Sequence, residues 1–377
     1  MEKHLHIIAL TVPFPVDYGG VFDLFYKLPA LKQQGVQIHL HCFNKGDDEQ
    51  NELNKYCASV NYYKRKKGIE GFSFSLPFIV SSRINERLFQ NLLQDDHPIL
   101  MEGIHCTYLL NDVRFNNRKK IVRLHNVEYL YYRQLFKSAT SLLHKVYYWQ
   151  ESYLLKKYEK NIAAKANVFL AVTPADVEVY TNEFSCKTIN YMPIFIPPDW
   201  QLKCLTGKGN YCLYHGDLRI DTNEKAVIWL LEKVFKKIKL PFVIAGKNPS
   251  KKLKRMAHEE LYTCLVANPI EKEMQDMIAK AHIQILPSFA TTGIKIKLLN
   301  ALFNGRYVIA NSATVEGSGL ENLCSIADDE NSFAEKITNL FSESFCLEII
   351  EHRKNVLEKM FCNETNAKTI MNFIWEE

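Results

Sequence analysis

Two lysines close to a glycine carry the clearest chemical signal in this chain. Lys295 and Lys297 follow Gly293 in a loop between an apolar segment, residues 283–288, and a predicted helix over residues 298–303. A strand, a glycine loop and a helix in this order place backbone N–H groups and the positive end of the helix where an anion can bind. Lysines at the mouth of such a loop suit a diphosphate. The segment therefore predicts an anion site, although two lysines on an ordinary solvated face would show the same pattern.

Two glycines and two titratable residues follow predicted strands in the first half of the chain. Gly19 and Gly20 come after the strand predicted at residues 5–10, where the lack of a side chain lets the backbone approach a ligand. A tight turn explains the two glycines equally well. His125 and Glu102 each come directly after another predicted strand. Such positions favour contact with a ligand, Glu102 by binding hydroxyl groups or acting as a base, although a structural histidine and a surface acid are the plainer interpretations.

Length and composition indicate a globular protein with two domains. The chain has 377 residues, more than one hydrophobic core usually serves, and 47% of them are apolar. A formal net charge of +5 is too small for a dedicated nucleic-acid binder. The ten cysteines include no Cys-x-x-Cys pair and are expected to be reduced thiols of a cytoplasmic protein. The apolar run at the N-terminus is too short for a signal peptide and no segment is long enough to cross a bilayer, so a soluble or at most peripheral protein is expected.

Strand and helix patterns alternate in both halves of the chain, which predicts two doubly wound α/β domains with parallel sheets. Prolines and glycines within residues 191–209 break the alternation and mark a linker. We therefore expect a first domain over residues 1–192, a second domain over residues 193–355 and a final helical segment over residues 356–377. Besides the segments at 5–10 and 283–288, strands are predicted at residues 36–42, 60–63, 98–101, 120–124, 168–172, 211–214, 242–245, 264–266 and 307–311.

The second half contains an ordered, collinear series of residues: Gly216, Asp217, Leu218, Asn223, Ala226, Trp229, Ala245, Gly246, Pro249, Asn268, Pro269, Leu286, Pro287, Ser288, Gly293, Lys297, Ala301, Leu302 and Gly305. The series resembles the glycosyltransferases of the two-Rossmann GT-B fold, in particular the retaining family four, group 1 type, which includes many bacterial surface-glycan enzymes. In the first half, residues 13–20 and 123–128 resemble two loops of that family. The resemblance implies two Rossmann-like domains that face each other across a cleft, an NDP-sugar donor on the second, an acceptor on the first, and a final helix that returns to the first domain.

The resemblance also implies roles for individual residues. Lys297 would hold the diphosphate and act in catalysis, with help from Arg219, while His125 would contact the donor sugar. The family often carries a Glu-x7-Glu pair, but Thr292 and Asn300 stand at those positions, and an amide can bond a ribose hydroxyl without supplying charge. Asn268 would face the nucleobase. The residues expected to bind the donor are Gly19, Gly20, Gly216, Asn268, Gly293, Lys295 and Asn300, and Glu102 is expected to bind the acceptor.

The predicted reaction moves a sugar from an NDP-sugar to a glycan, a lipid-linked acceptor or a protein, with retention of configuration. Negative charge collects on the departing diphosphate, and cationic side chains with a helix N-terminus can stabilise it. The sequence contains no Asp-x-Asp motif, so no metal and no cofactor besides the NDP-sugar co-substrate is expected. Two alternatives stay open: a nucleotide-sugar-binding partner subunit that has lost catalysis, which the missing Glu pair favours, and an NDP-sugar epimerase of the same fold.

A basic run beside aromatic residues suggests contact with a membrane. Lys64, Arg65, Lys66 and Lys67 precede a segment with three phenylalanines, residues 72–79. This combination suits a surface of anionic lipid, where acceptors of such enzymes often reside. A solvated charge run next to a core segment would look the same. We expect a cytoplasmic protein, either free or at the inner face of the cell membrane.

Overall fold

The computed structural model describes residues 2–16, 19–44, 49–203, 205–289 and 293–376. The chain forms two compact units, which we call the first domain (Met1–Pro198 with Phe361–Glu377) and the second domain (Asp199–Met360). The boundaries therefore differ by five or six residues from those expected at 192/193 and 355/356. Residues 193–198 stay with the first domain because Phe195 is buried in its core and donates its backbone N–H to Asp23.

The first domain is built on a parallel sheet of seven strands. Its spatial order is β3-β2-β1-β4-β5-β6-β7, and every pair of neighbours is parallel. Helices therefore have to connect successive strands and cover both faces, as the alternating sequence pattern predicted. The strands are β1 (Lys3–Ala9), β2 (Val36–Asn44), β3 (Ser59–Lys64), β4 (Ile99–Glu102), β5 (Lys120–Leu124), β6 (Val168–Ala171) and β7 (Ile189–Tyr191).

The connecting helices of this domain begin at recognisable signals. Thr173 accepts the backbone N–H of Asp176 and Pro174 follows it, a favoured helix start. The long helical stretch between β5 and β6 is divided into two helices. The helices are α1 (Gly19–Gln33), α2 (Phe78–Ser81), α3 (Glu86–Leu92), α4 (Glu128–Ser138), α5 (Leu142–Ile162) and α6 (Pro174–Phe184), with 3-10 turns at Asn51–Lys55, Gly68–Gly71, Ile104–Asn111 and Val113–Phe115.

The second domain contains a parallel sheet of six strands in the order β10-β9-β8-β11-β12-β13. The strands are β8 (Cys212–Asp217), β9 (Phe242–Lys247), β10 (Thr263–Ala267), β11 (Ile283–Leu286), β12 (Tyr307–Ala310) and β13 (Ser325–Ile326). The helices are α7 (Asp221–Trp229), which continues as a π-helix (Leu230–Phe235), α8 (Lys251–Glu259), α9 (Glu271–Lys280), α10 (Ile296–Asn304), α11 (Ser312–Val315), α12 (Glu330–Ser342) and α13 (Leu347–Met360), with a 3-10 turn at Glu321–Leu323. Two doubly wound parallel sheets confirm the predicted fold class.

The last helix, α14 (Asn363–Trp375), belongs to the first domain. Its apolar stripe includes Ile370 and Ile374, which are buried in the same core cluster as residues of α1. Asn363 fixes the start of the helix by exchanging two hydrogen bonds with the backbone of Ile196. No helix in the described part of the chain is both long and apolar enough to cross a membrane.

One face of the first sheet carries a histidine array formed by His4 and His6 on β1 and His39 and His41 on β2. His4 Nδ1 lies 3.0 Å from His39 Nε2, and His6 Nδ1 lies 2.8 Å from His41 Nε2. Burial lowers the pKa of His6 to about 4 and that of His41 to about 3. His6 and His41 are therefore neutral near pH 7, with one proton between their facing ring nitrogens. Further along the same two strands, Ile8 and Phe43 belong to the apolar core.

Candidate active site

Lys297 of the second domain lies in the first turn of α10, directly after the glycine loop. Its Nζ donates to Tyr214 Oη at 3.1 Å and to Asn223 Oδ1 at 3.2 Å, and lies 4.8 Å from the centre of the Tyr214 ring. Tyr214 belongs to β8 and Asn223 to α7. Three separate elements thus fix the position of one ammonium group.

The environment of Lys297 suits an anionic ligand. Burial, and then the charge of Lys295, lowers the pKa of Lys297 to about 7. Among the described residues, no carboxylate forms an ion pair with Lys297. The side chain is partly buried, and an ammonium group withdrawn from water without a counter-charge is costly unless a ligand supplies one. The position therefore does not fit the solvated face that was the plainer interpretation of the sequence.

The loop before α10 holds the other predicted residues of this segment. Gly293 has a φ of +67°, in the left-handed region that favours glycine. Lys295 immediately precedes α10, and its Nζ donates to the Gly293 carbonyl at 3.0 Å. Thr292 lies outside the described residues. Both lysines therefore lie next to the first backbone N–H groups of α10, which is the arrangement that the predicted anion site needs.

His215 is a residue that sequence reasoning missed. It lies on β8 between Tyr214 and Gly216, is buried, and its Nε2 has no hydrogen-bond partner among the described residues. Burial, and then Lys297, lowers the pKa of His215 to about 3, so the ring is neutral. Its position one residue before the glycine near the end of a strand was the available signal in the sequence. Only the fold brings it close enough to Lys297 for the charge of the lysine to lower its pKa.

The glycines at the ends of β8 and β9 have different roles. A Cβ atom on Gly246 would lie 2.1 Å from the Gly216 carbonyl oxygen, so the close approach of the two strand ends requires glycine there. A Cβ atom on Gly216 would meet the side chains of Asn223, at 3.6 Å, and Tyr214, at 3.8 Å, which are ordinary contacts. Packing within the described chain therefore does not explain Gly216, and close approach of a ligand stays its predicted role.

The structure places Arg219 in an ion pair. Its guanidinium group donates to both carboxylate oxygens of Asp217, with the closest contact at 2.6 Å. The side chain is half-exposed. Arg219 therefore carries a compensated charge, and a role beside the diphosphate would require it to leave Asp217 or to bind through its remaining N–H groups.

Two predicted amide residues have contacts inside the chain. Asn268 has a φ of +55°, and its Oδ1 accepts the backbone N–H of Asn248 at 2.7 Å, so it shapes the loops after β9 and β10. Asn300 lies on α10 and its Oδ1 accepts from Asn304 at 2.9 Å. Their contacts with a nucleobase and a ribose stay predictions.

The first domain contains a buried ionic network that the sequence did not reveal. Lys27 Nζ donates to Asp23 at 3.0 Å and to Glu102 at 2.6 Å. Arg123 donates to both oxygens of Asp23, at 2.8 and 3.1 Å. His125 Nε2 lies 2.9 Å from the second oxygen of Glu102. The network joins α1, β4, β5 and the loop after β5.

This network determines how Glu102 can act. Glu102 is fully buried and both carboxylate oxygens are engaged, which disfavours the predicted direct contact with an acceptor. Burial alone would raise the pKa of Glu102, but Lys27 and then His125 hold it below its usual value. The ionised carboxylate fixes the ring of His125 through Nε2, so Nδ1 is the ring atom through which His125 can meet a substrate.

Asp23, Glu102 and His125 place one ligand atom each within 4.8 Å of one another, the spacing of a possible metal site. However, Lys27 and Arg123 already neutralise the two carboxylates. Burial alone would raise the pKa of Asp23, yet Arg123 and then Lys27 hold it well below its usual range. A divalent ion would have to displace a buried cation, so the cluster fits a positioning network better than a metal centre.

The two glycines of the first domain lie at the start of α1. Gly19 and Gly20 are the first residues of that helix, one turn before Asp23. Their backbone N–H groups have no partners inside the helix, which is the general condition for anion binding at a helix N-terminus. The same helix supplies Asp23 and Lys27, so the network that orients His125 also anchors this end of α1.

Comparison with known proteins identifies the class of protein. Residues 209–343 match the family described as Glycosyl transferases group 1. A Klebsiella pneumoniae protein described as an uncharacterized 44.6 kDa protein in cps region is 28% identical over 362 residues, with 88% of this chain and 89% of that protein covered. A glycosyltransferase from Rickettsia africae has a TM-score of 0.68 at 14% identity, with 99% of this chain and 98% of that one covered. Anabaena Alr3699/HepE in complex with UDP and glucose has a TM-score of 0.65 at 11% identity over 98% of each chain.

The two parallel α/β sheets and the matched domain define the chain as a glycosyltransferase of the GT-B fold. Its group 1 glycosyltransferase domain, residues 209–343, includes β8, the glycine loop and α10. The fold and the enzyme class agree with the resemblance found in the sequence.

Proposed function

We propose that this glycosyltransferase transfers a sugar from a nucleoside diphosphate sugar to a glycan, lipid-linked or protein acceptor of a cell-surface polymer, with retention and without a metal ion. The observation that carries the donor assignment is Lys297, a partly buried ammonium group without a carboxylate partner among the described residues, in the first turn of α10. A diphosphate is the group that would complete this site.

The chemistry follows from the charge that develops during transfer. As the bond between the anomeric carbon and the diphosphate breaks, negative charge grows on the leaving group. Lys297 and the N–H groups at the start of α10 are fixed before the reaction begins, so stabilising this charge needs little reorganisation. The neighbouring His215 adds a neutral imidazole whose Nε2 lacks a partner among the described residues and can bond a ligand oxygen.

The first domain would contribute the remaining contacts. We assign His125 to the donor sugar, with Glu102 as the residue that orients it, and the N-terminus of α1 at Gly19 and Gly20 to a phosphate or sugar oxygen. This assignment moves Glu102 from acceptor binding to positioning, because its carboxylate is buried.

The known relatives support this choice of substrate class. The Anabaena protein of the same fold binds UDP and glucose, and the Klebsiella relative is encoded in a cps region. We therefore take UDP-sugars as the first donors to test, followed by GDP-, ADP- and CMP-sugars in a thermal-shift screen. A donor that binds the folded protein will raise its melting temperature.

The decisive variant is Lys297→Met, with Lys254→Met on the exposed face of α8 as the matched control. Loss of the cation should lower turnover of the donor identified in the screen by about 100-fold or more without unfolding the protein. Turnover that is unchanged in Lys297→Met would refute the donor site. Donor binding without any turnover would favour the partner-subunit alternative, and conversion of the free NDP-sugar without acceptor would favour an epimerase.

We also propose that the acceptor is reached at an anionic membrane surface. Lys64, Lys66 and Lys67 are exposed, and they are followed by the exposed side chains of Ile69 and Phe74. Arg65 departs from the predicted basic run, because its Nε donates to Ser82 and its guanidinium group lies 5.5 Å from the centre of the Phe78 ring. Flotation with anionic vesicles should show binding that is lost when the three lysines are replaced by Gln. Absence of binding to anionic vesicles would remove this proposal.

A further inference from the structure

The first domain contains a polar pocket of about 350 Å³ that none of the assignments above uses. Part of its wall comes from residues at or just after the carboxyl ends of β1 to β4, the edge where doubly wound sheets bind ligands, and the rest comes from α4 and the segment around α2. Its volume falls in the range of small-molecule sites, roughly 300–1,000 Å³. Residues that line it include Leu10, Phe43, Arg65, Arg83, His105 and Tyr132. We call it the arginine pocket.

Two guanidinium groups give the pocket its charge, and both are held in place. Arg83 is buried, with Nε donating to the Leu10 carbonyl at 2.9 Å and Nη1 to the Ile79 carbonyl at 2.7 Å. Arg65 is held by Ser82 and by the face of Phe78. The described residues that line the pocket include no aspartate or glutamate. Fixed guanidinium groups without an acid in the same wall are the usual means of recognising a phosphate or a carboxylate.

The pocket adjoins the histidine assigned to the donor sugar. His105 lines the pocket and packs on Gly103, where an added Cβ atom would lie 2.9 Å from His105 Nδ1 and 3.7 Å from His125 Cδ2. Gly103 also has a φ of +77°, so both space and backbone require glycine there. The two imidazoles are thus separated by one residue without a side chain. A molecule anchored in the pocket would reach the surroundings of His125.

We propose that the arginine pocket binds an anionic group of the acceptor, a phosphoryl or a carboxylate group, with Arg65 and Arg83 as its cationic contacts. The proposal rests on the proposed function, because it supplies the acceptor for the transfer described there. A phosphoryl group would come from a lipid-linked acceptor, and a carboxylate from an acidic sugar of the growing glycan. The burial of His105 and the charges of Arg83, His125 and Arg65 hold its pKa well below the usual value, so its neutral ring adds a hydrogen bond rather than charge.

The test uses isothermal titration of the whole protein, with saturating UDP present so that the donor site is filled. The probes are methyl phosphate, glucuronate and neutral glucose. Methyl phosphate or glucuronate should bind, and which of them binds identifies the source of the anion. Removing one charge-assisted contact in Arg65→Gln should weaken that binding about tenfold or more. The matched control is Arg87→Gln, which changes an exposed arginine of the same domain and should leave the affinity unchanged.

If the wild-type protein binds neutral glucose as tightly as glucuronate and methyl phosphate, the proposal is overturned, and this result does not depend on the variants. Equal anion affinity in Arg65→Gln and wild type would also overturn it. UDP binding is measured separately and distinguishes the two proposals. If UDP binds and neither anion does, the pocket proposal fails alone; if an anion binds through Arg65 and UDP does not bind, the donor site fails and the anion pocket stands.

Discussion

The low pKa of Lys297 predicts that nucleotide binding will take up a proton. With a pKa of about 7, this ammonium group is mostly neutral in the free protein at pH 8.5. A diphosphate beside it favours the charged form and should raise the pKa by about 3 units, the upper end of the usual range for an opposite charge, to about 10. Binding above pH 7 must therefore protonate Lys297 first, and each further pH unit costs about 1.4 kcal/mol, which is a factor of ten in affinity. The expected dissociation constant for UDP rises about tenfold per pH unit between pH 7.5 and 9.

Titration calorimetry can measure this proton directly. At pH 8.5 the observed enthalpy should change with the ionisation enthalpy of the buffer, with a slope close to one proton taken up per UDP. The terminal phosphate of UDP does not interfere, since a phosphate monoester loses its second proton near pH 6. The matched control is Lys297→Arg, which stays charged throughout this range and should bind UDP with little pH dependence. Flat wild-type affinity, or the same slope in Lys297→Arg, would refute the reasoning.

The other predictions concern stability. Asp23→Asn leaves the buried Arg123 without a counter-charge and Lys27 with Glu102 alone, so it should lower the free energy of unfolding by about 3–5 kcal/mol in urea titrations. Glu364→Gln in an exposed pair should leave the free energy of unfolding unchanged, and equal effects of the two substitutions would contradict the importance of burial. Gly246→Ala should lower the melting temperature because its Cβ would meet a backbone oxygen, whereas Gly216→Ala should keep the melting temperature and weaken UDP binding. The pKa of His6 is about 4 in the folded protein and 6.5 in the unfolded chain. Between pH 6.5 and 4 the unfolded chain therefore binds more protons than the folded protein, and the free energy of unfolding decreases as the pH falls through this range. The decrease in the free energy of unfolding due to His6 should reach about 3 kcal/mol. If the urea midpoint of His6→Gln depends on pH as strongly as that of the wild type, His6 is not the cause of the decrease.

The strands were predictable because their signal is local. The strand at Lys120–Leu124 has the predicted bounds, and Ile283–Leu286 ends two residues before the predicted limit, at a proline that cannot continue the ladder. An apolar run between polar or turn residues identifies a buried parallel strand wherever it occurs. The glycine loop and α10 were predictable for the same reason, since a turn residue and a helix pattern follow one another.

The partners of the charged residues were not predictable, because pairing depends on tertiary contacts. Asp23 and Lys27 have the spacing of an ordinary exposed pair on a helix, and nothing in their neighbours in sequence shows that Glu102, 75 residues from Lys27, completes the network. Arg65 belongs to a basic run, yet it directly follows β3, where alternation of side chains turns it away from the exposed Lys64. The sequence shows which charged residues lie in predicted loops, but only the fold decides which of them are buried.

The presence or absence of partner carboxylates gives the two cationic sites of this enzyme different roles. In the first domain, Lys27 and Arg123 are buried with Asp23 and Glu102, so the charges cancel within the chain and the network can hold His125 in one orientation without a ligand. In the second domain, Lys297 is partly buried against a phenol and an amide, with a neutral imidazole near enough to feel its charge, and none of these groups carries negative charge near pH 7. The first arrangement loses stability when an acid is removed, whereas the second gains a counter-charge only when an anion binds. For this reason we assign positioning to the network and diphosphate binding to Lys297, although each site contains a lysine held by a helix.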